Sequence, residues 1–534
     1  MGAGKASVAS DITKRQTVST ALSDRQAAWA FVLGCAAVTV GVLLHLPMFI
    51  ASRSMGYHMA GMPMGTGMLI GMGAIVGGVG IAAWGLLPAK VSASKAVPDV
   101  VVVAPEDASL GRAHWGLMGV LVVALTIDVM KPAALGFTMT GMTHEYAVTP
   151  AHASAVPFSA LAGTVAGSVA WGAIADLYGR KASILLSAVM FVGTAICGAM
   201  PSLAWNVVMC FMMGAAAGGM LPATYALLAE TMPIRHRGWS LVLVGGLGAV
   251  GGYVAASAAS ALLQPIFGWR ILWLLNLPTG LTLVALAPFI PESAAFLIAR
   301  GRMAEAHAVM QRFGAKARRR KPEVPAAAVA PTPELTSRAL AGKGIALSLT
   351  ALCWGLINFG LMLWLPADLI ERGYSVAVSS RLLAESALIA LPMVFIAAAL
   401  YSRWSTKWTL VTMVAFTLAG LIGVLRLDLV GGSPVPPVAL LILGSNGIIA
   451  AVLPYAAESF PFRVRGRATG WVAACSKGGG LLAQLLGVLA LEPALGWAAG
   501  LLIVPTGIAL ALLMRFGRET RGRDLRELDH AAEA

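Results

Sequence analysis

Charge is what this sequence has least of. Only 12% of its 534 residues are Asp, Glu, Lys or Arg, about half the share found in a soluble globular chain. That scarcity excludes an ordinary water-soluble domain, whose surface has to be covered by ionised side chains. Cysteine is scarce as well. Its five positions, Cys35, Cys197, Cys210, Cys353 and Cys475, are far apart and inside apolar runs, with no CxxC or zinc spacing. They read as small core residues, which excludes a disulfide scaffold or a zinc module. No nucleophile–base pair, metal-ligand cluster or phosphate-binding loop stands out, so neither an enzyme nor a cofactor is expected. The first 25 residues contain no apolar core, and a conventional cleavable signal is not expected there.

Hydrophobic residues make up 58% of the chain, and the mean hydropathy is +0.80. Glycine, with 60 residues, is abundant, which suits helices packed closely in a bilayer. The net charge of +14 would suggest nucleic acid in a soluble protein, but here it is expected from Lys and Arg gathered in cytoplasmic loops. A spanning helix needs about 20 mostly apolar residues. Two such runs open the chain, near 27–50 and 66–88, and twelve follow, near 114–138, 156–175, 183–200, 205–228, 239–262, 270–290, 344–366, 382–401, 408–426, 437–456, 468–490 and 497–514. With the amino terminus inside, about 31 Lys and Arg fall in cytoplasmic segments and about 5 in outer ones, an asymmetry that inversion would reverse.

The expected organisation is a cytoplasmic tail (1–25), a two-helix membrane segment (26–90), a linker (91–113), a six-helix bundle (114–295), a cytoplasmic loop (296–343), a second six-helix bundle (344–516) and a cytoplasmic tail (517–534). Internal repetition argues for the two bundles. Ala229-Glu230-Thr231-Met232-Pro233 continuing to Arg237-Gly238 reappears as Ala457-Glu458-Ser459-Phe460-Pro461 continuing to Arg465-Gly466. Pro291-Glu292-Ser293 after the sixth core span is matched by Glu519-Thr520 after the twelfth. Both pairs are displaced by about 228 residues, which indicates homologous halves.

Gly172-x-x-Ala175-Asp176-x-x-Gly179-Arg180-Lys181 is similar to the signature between the second and third helices of the major facilitator superfamily. The Glu230/Arg237, Glu292, Glu458/Arg465 and Glu519 motifs resemble those of its sugar-porter branch and relatives. The resemblance covers roughly residues 114–528 and implies an all-α membrane protein: two six-helix bundles, here with two additional N-terminal transmembrane helices, about 14 in total. It implies that Asp176 and the basic pair form a charge relay closing the cytoplasmic side. The second-half counterpart, Ser402 to Lys407, lacks the acid and the glycine. Charges at the helix ends are expected to exchange partners as the halves rock; anchoring by basic residues alone is the plainer alternative.

Ionisable groups inside spans are costly and face cavities. Asp128 and Lys131, three residues apart in the first core span, share a face. Lys477 lies in the eleventh span beside three glycines, and Glu385 in the eighth. The superfamily's cavity is lined by helices one, four, seven and ten, which adds Tyr225, Trp354, Asn358 and Asn446 as candidates. The two lysines would attract an anionic substrate and Asp128 would couple a proton; a permanent Asp128–lysine pair holding helices together is the alternative. Sugar porters place glutamines in helices five and seven. The run Leu243 to Gly248 in the fifth span has none, and an acid with a base in the first helix resembles the organic-acid and aromatic-acid:proton symporters instead.

The expected function is therefore proton-coupled transport of a small carboxylate by alternating access, in a monomer spanning the plasma membrane with both termini cytoplasmic. A sugar symporter or a drug or metabolite antiporter is the alternative. The segment from His45 to Met72 is rich in Met and His, a donor set that suits Cu(I), although methionine is equally a common apolar filler. The basic run Arg318 to Lys321 reads as a topology signal or a contact for anionic lipid, and 303–313 as a short amphipathic helix.

Overall fold

The computed structural model describes residues 25–87, 100–103, 109–218, 220–319, 338–460 and 462–521. A long apolar segment must satisfy its backbone N–H and C=O groups internally, and a helix is the element that does so alone. The first such elements are α1 (Arg25–Leu43), α2 (Thr66–Leu86), α3 (Arg112–Tyr146), α4 (Ala155–Tyr178), α5 (Arg180–Gly193), α6 (Leu203–Ala217), α7 (Met220–Thr231), α8 (Ile234–Phe267) and α9 (Asn276–Ala285). After α10 (Met303–Phe313) come α11 (Arg338–Leu356), α12 (Met362–Glu371), α13 (Val376–Arg403), α14 (Thr406–Val430), α15 (Val435–Ser459), α16 (Phe462–Val488) and α17 (Leu495–Phe516). A two-stranded antiparallel ribbon joins β1 (Val100–Val103) to β2 (Lys316–Arg319), with Val100 opposite Arg319.

Among the described residues, 11 helical stretches are long and apolar enough to cross a membrane, against about fourteen expected from hydropathy. The fourth core span is divided between α6 and α7, each too short by itself, and α16 carries several basic residues. α4 also falls outside that set.

Packing repeats between the two halves. α3 lies on α8 as α11 lies on α16; α4 lies on α6 as α13 lies on α15; α5 lies on α9 as α14 lies on α17. The halves join through α8 against α13 and α4 against α16, and through α3 against α12. One apolar core runs through both halves, from Leu117 to Leu513.

α1 and α2 form a separate antiparallel pair. A methyl group at Gly34 would collide with the backbone of Ala82, and one at Gly78 with the backbone of Gly34, so the seven-residue glycine spacing sets how closely the helices approach. The pair rests on the flank of α5, where Phe31, Val38 and Val42 meet Leu185, Val189 and Val192. The methionines of the connecting segment serve this packing. Met59 and Met68 are buried in the same apolar cluster, and His45 Nδ1 bonds the Gly41 carbonyl at 2.8 Å. Among the described residues no group of His, Cys, Asp and Glu could hold a metal ion.

Candidate functional site

The site begins with a break in α3. Pro132 has no N–H to offer the carbonyl four residues earlier, so the helix loses a rung at Asp128. Asp128 and Lys131 flank that break and are both buried, 8% and 4% exposed. Lys477 of α16 lies within electrostatic reach of Asp128. The three do not form a closed ion pair: Asp128 Oδ1 and Lys131 Nζ have no hydrogen-bond partner among the described residues. Lys131 Nζ instead sits over the Phe191 ring, and Lys477 Nζ lies 5.6 Å from the centre of the Phe359 ring. A buried charge left without a partner costs several kcal/mol.

The facing wall comes from the second half. Between α11 and α12 the chain makes a π-turn, Ile357–Leu361, a local widening often found at functional sites. Asn358 lies in that turn. Phe359 packs its ring 5.5 Å from Trp354, and its carbonyl accepts a hydrogen bond from Gln484 Nε2 of α16. The indole N–H groups of Trp354 and Trp364, the Tyr253 hydroxyl and Gln484 Oε1 are buried without partners among the described residues. Asn446 of α15 is buried, and Tyr225 of α7 sets its hydroxyl against Gly245 of α8. Glu385 stands apart: it pairs with Arg381 one turn earlier at 2.9 Å on an exposed face.

Gln484 has a counterpart that no motif contains. Gln264 of α8 donates to the Phe137 carbonyl of α3 at 2.8 Å. The two glutamines thus tie equivalent helix pairs, α8 to α3 and α16 to α11–α12, and Gln264 lies two residues past the expected end of the fifth core span at 262.

At the end of the bundle carrying the repeated motifs, Arg180 pairs with Glu230 at 3.5 Å. Arg237 lies in the field of Glu458 and Glu230. Glu292 accepts the backbone N–H of Arg180 at 2.9 Å and that of Lys181 at 3.5 Å. In the second half Glu458 accepts from Tyr401 and Thr520 hydroxyls at 3.2 and 2.7 Å, and Glu519 from Thr406 N–H and Oγ1 at 3.0 and 2.7 Å. The acids of the motifs thus contact other helices: Glu230 meets Arg180, and Glu458 meets Tyr401 and Thr520. The backbone of Gly172, Asp176 and Arg465 is helical; the side chains of Asp176 and Arg465 lie outside the described residues.

Hydrogen bonds also cross between the halves at the opposite end. Ser260 of α8 and Ser380 of α13 share a hydrogen bond of 2.7 Å, and Ser154 before α4 donates to Glu492 beyond α16 at 2.9 Å. These two links lie by α8–α13 and α4–α16, two of the three helix pairs that join the halves. α3 and α12 cross so closely that a side chain at Gly136 would strike the Leu363 carbonyl. A further node lies at this end, outside every repeated motif. Glu145 and Arg270, 2% and 1% exposed, pair at 2.7 Å, and Glu145 also takes the N–H groups of Met59 and Ala60 at 2.6 and 3.0 Å. It clamps the α1–α2 connection onto the end of α3.

Two bundles with matching contacts meet around the buried Asp128 and Lys131, linked to each other at both ends. Residues 117–482 match the family model of the Major Facilitator Superfamily. The chain belongs to that superfamily. As such it is a multi-pass membrane transporter. It is 28% identical over 397 residues to a niacin transporter of Acinetobacter baylyi, covering 71% of this chain and 88% of the relative. It is 31% identical over 207 residues to a 4-hydroxybenzoate transporter of the same organism, covering 37% and 43%. The fold matches the proton:xylose symporter with a TM-score of 0.60 at 17% identity, covering 78% of this chain and 98% of that one. The α1–α2 pair precedes the matched region.

Proposed function

We propose that this transporter carries a small aromatic or heteroaromatic monocarboxylate together with a proton, by alternating access. The observation that supports this most is the convergence of Asp128, Lys131 and Lys477 in the buried centre without a closed ion pair. A carboxylate entering between the lysines would supply the missing counter-charge, the aromatic rings of Phe359 and Trp354 would flank its ring, and Asp128 would hold the coupled proton. The niacin and 4-hydroxybenzoate relatives carry substrates of this class by name. The xylose symporters share the fold at 17% identity or less, which supports architecture and not a sugar substrate.

In this reading α4, α6 with α7, and α16 complete about fourteen spans, the motif end faces the cytoplasm with both termini, and the protein works as a monomer in the plasma membrane. Uptake of nicotinate and 4-hydroxybenzoate into proteoliposomes under an inward proton gradient tests it. Asp128→Asn should abolish gradient-driven accumulation and spare counterflow of preloaded substrate. Lys131→Met and Lys477→Met should each raise KM about tenfold or more, as expected for losing a charge-assisted bond to a carboxylate. Equal loss of accumulation and counterflow in Asp128→Asn would remove the proton-coupling role, and competition by xylose with none by carboxylates would remove the substrate class.

A further inference from the structure

A second cleft lies away from the centre, where the α1–α2 connection meets the end of α8. Its volume is about 590 Å³, and it is lined by Arg53, Gly56 and Tyr57 on one side and by Gln264 to Gly268 on the other. One side of the wall, Arg53, Gly56 and Tyr57, precedes the region that matches the superfamily, which starts at residue 117, so the cleft exists because the extra helix pair docks here.

Its chemistry is divided by depth. Arg53 is the one charged residue in the lining, and its guanidinium makes no hydrogen bond or ion pair among the described residues. Beside it, Tyr57 packs its ring 4.9 Å from Phe49 and 5.7 Å from Phe267. Cationic and aromatic side chains together mark the level of lipid headgroups. From there an apolar track runs toward the middle of the bundle. Ile266 and Leu262 share a face of α8 one turn apart, Ile50 lies one turn before Arg53, and the three are 62%, 69% and 65% exposed. The connection that forms the wall is held in place by Glu145, which binds the Met59 and Ala60 N–H groups. The cleft is therefore built before any ligand arrives.

We propose that this cleft binds one phospholipid, its phosphate on Arg53, its glycerol region against Tyr57 and Phe267, and an acyl chain along Ile266 and Leu262. An unpaired cation above a continuous apolar strip matches an amphiphile with an anionic head, which a free anion or a neutral lipid satisfies only in part.

The test uses the purified full chain, delipidated in detergent and titrated with phosphatidylglycerol, with native mass spectrometry as the readout. A single lipid should remain bound after annular lipid is removed. Arg53→Gln should weaken it about fivefold, the loss expected for one basic residue at a membrane surface. Leu262→Asn should weaken it through the acyl chain while keeping the cation. Inorganic phosphate alone and diacylglycerol with the same chains should fail to compete. Wild-type affinity in Arg53→Gln, or equal binding of diacylglycerol, would overturn the headgroup assignment. Full competition by inorganic phosphate would reduce the site to one for a simple anion and overturn the lipid.

Discussion

In the first half of the chain, the helix after the Gly179 turn is capped by a carboxylate more than a hundred residues away, and in the second half the helix after Ser405 is capped in the same manner. Glu292 takes the first N–H of α5 at 2.9 Å; Glu519 takes the first N–H of α14 at 3.0 Å. Each acid meets the positive end of a helix dipole, so each half uses its last turn to lock the start of its third span. The surroundings differ. Gly179 adopts φ 106 and ψ 161, a region open essentially to glycine alone, and a side chain there would strike the Glu292 carboxylate. Ser405 is extended, at φ −162, and its hydroxyl accepts the Trp408 N–H at 2.9 Å while donating to Glu519. One lock is a glycine slot filled by an acid, the other a mesh of hydroxyls. The comparison teaches that the repeat preserves the electrostatic task and not the residues performing it.

The proton affinities diverge accordingly. Burial pushes the Glu292 carboxyl above its ordinary range, opposed by the backbone N–H groups of Ser293, Arg180 and Lys181. Burial also opposes ionisation of Glu519, but hydrogen bonds from Ser405, Arg521 and Thr406 outweigh it and hold that carboxyl below the ordinary range. A raised folded pKa contributes stability at acid pH that is lost as pH rises through it. A lowered one contributes above the unfolded value, near 4.3, and loses that contribution as pH falls.

The largest asymmetry should come from Gly179→Ser. It imports the second half's residue into a glycine-only conformation, at a cost of about 1–3 kcal/mol for the backbone alone, and should lower the thermal midpoint sharply. If its midpoint equals that of wild type, the two locks are not different in kind. The acids come next. Glu519→Gln should cost about 1 kcal/mol at pH 7, in the range of a lost helix cap, with the gap to wild type closing below pH ~4. Glu292→Gln should be neutral or stabilising at pH 7 and lose that advantage in acid, and thermal unfolding at the two pH values reads both. Ser405→Gly keeps a good cap but deletes the hydroxyl that donates to Glu519, so it should cost about 1 kcal/mol, similar to Glu519→Gln and below Gly179→Ser. A loss as large as that from Gly179→Ser would erase the comparison.

Part of this arrangement was legible from spacing. Asp128 and Lys131, three residues apart, had to share a face, and both are buried. Helical periodicity assigns faces within one element, however, and is silent about partners on another. Glu385, also an ionisable group within a span, lies on an exposed face with Arg381. Glu230 and Arg237 look like partners because a short motif holds both, yet Glu230 pairs with Arg180 of a different helix. Gln264, Gln484 and the Glu145–Arg270 node drew no notice, since a single polar residue near a helix end has no pattern to announce it. Breaking that node should matter nonetheless, because an uncompensated buried charge costs about 3–5 kcal/mol.

The sequence by itself determined the membrane class, the repeated halves and which spans carry charge, because hydropathy and internal repetition are properties of the chain read in order. Tertiary structure decided that the central charges stay unpaired, that Glu292 and Glu519 cap helices far away along the chain, and that the extra pair of helices opens a cleft beside α8. Those facts depend on which faces approach within a few ångströms. Backbone crossings set that approach, and glycine and hydroxyl contacts between distant segments set the crossings.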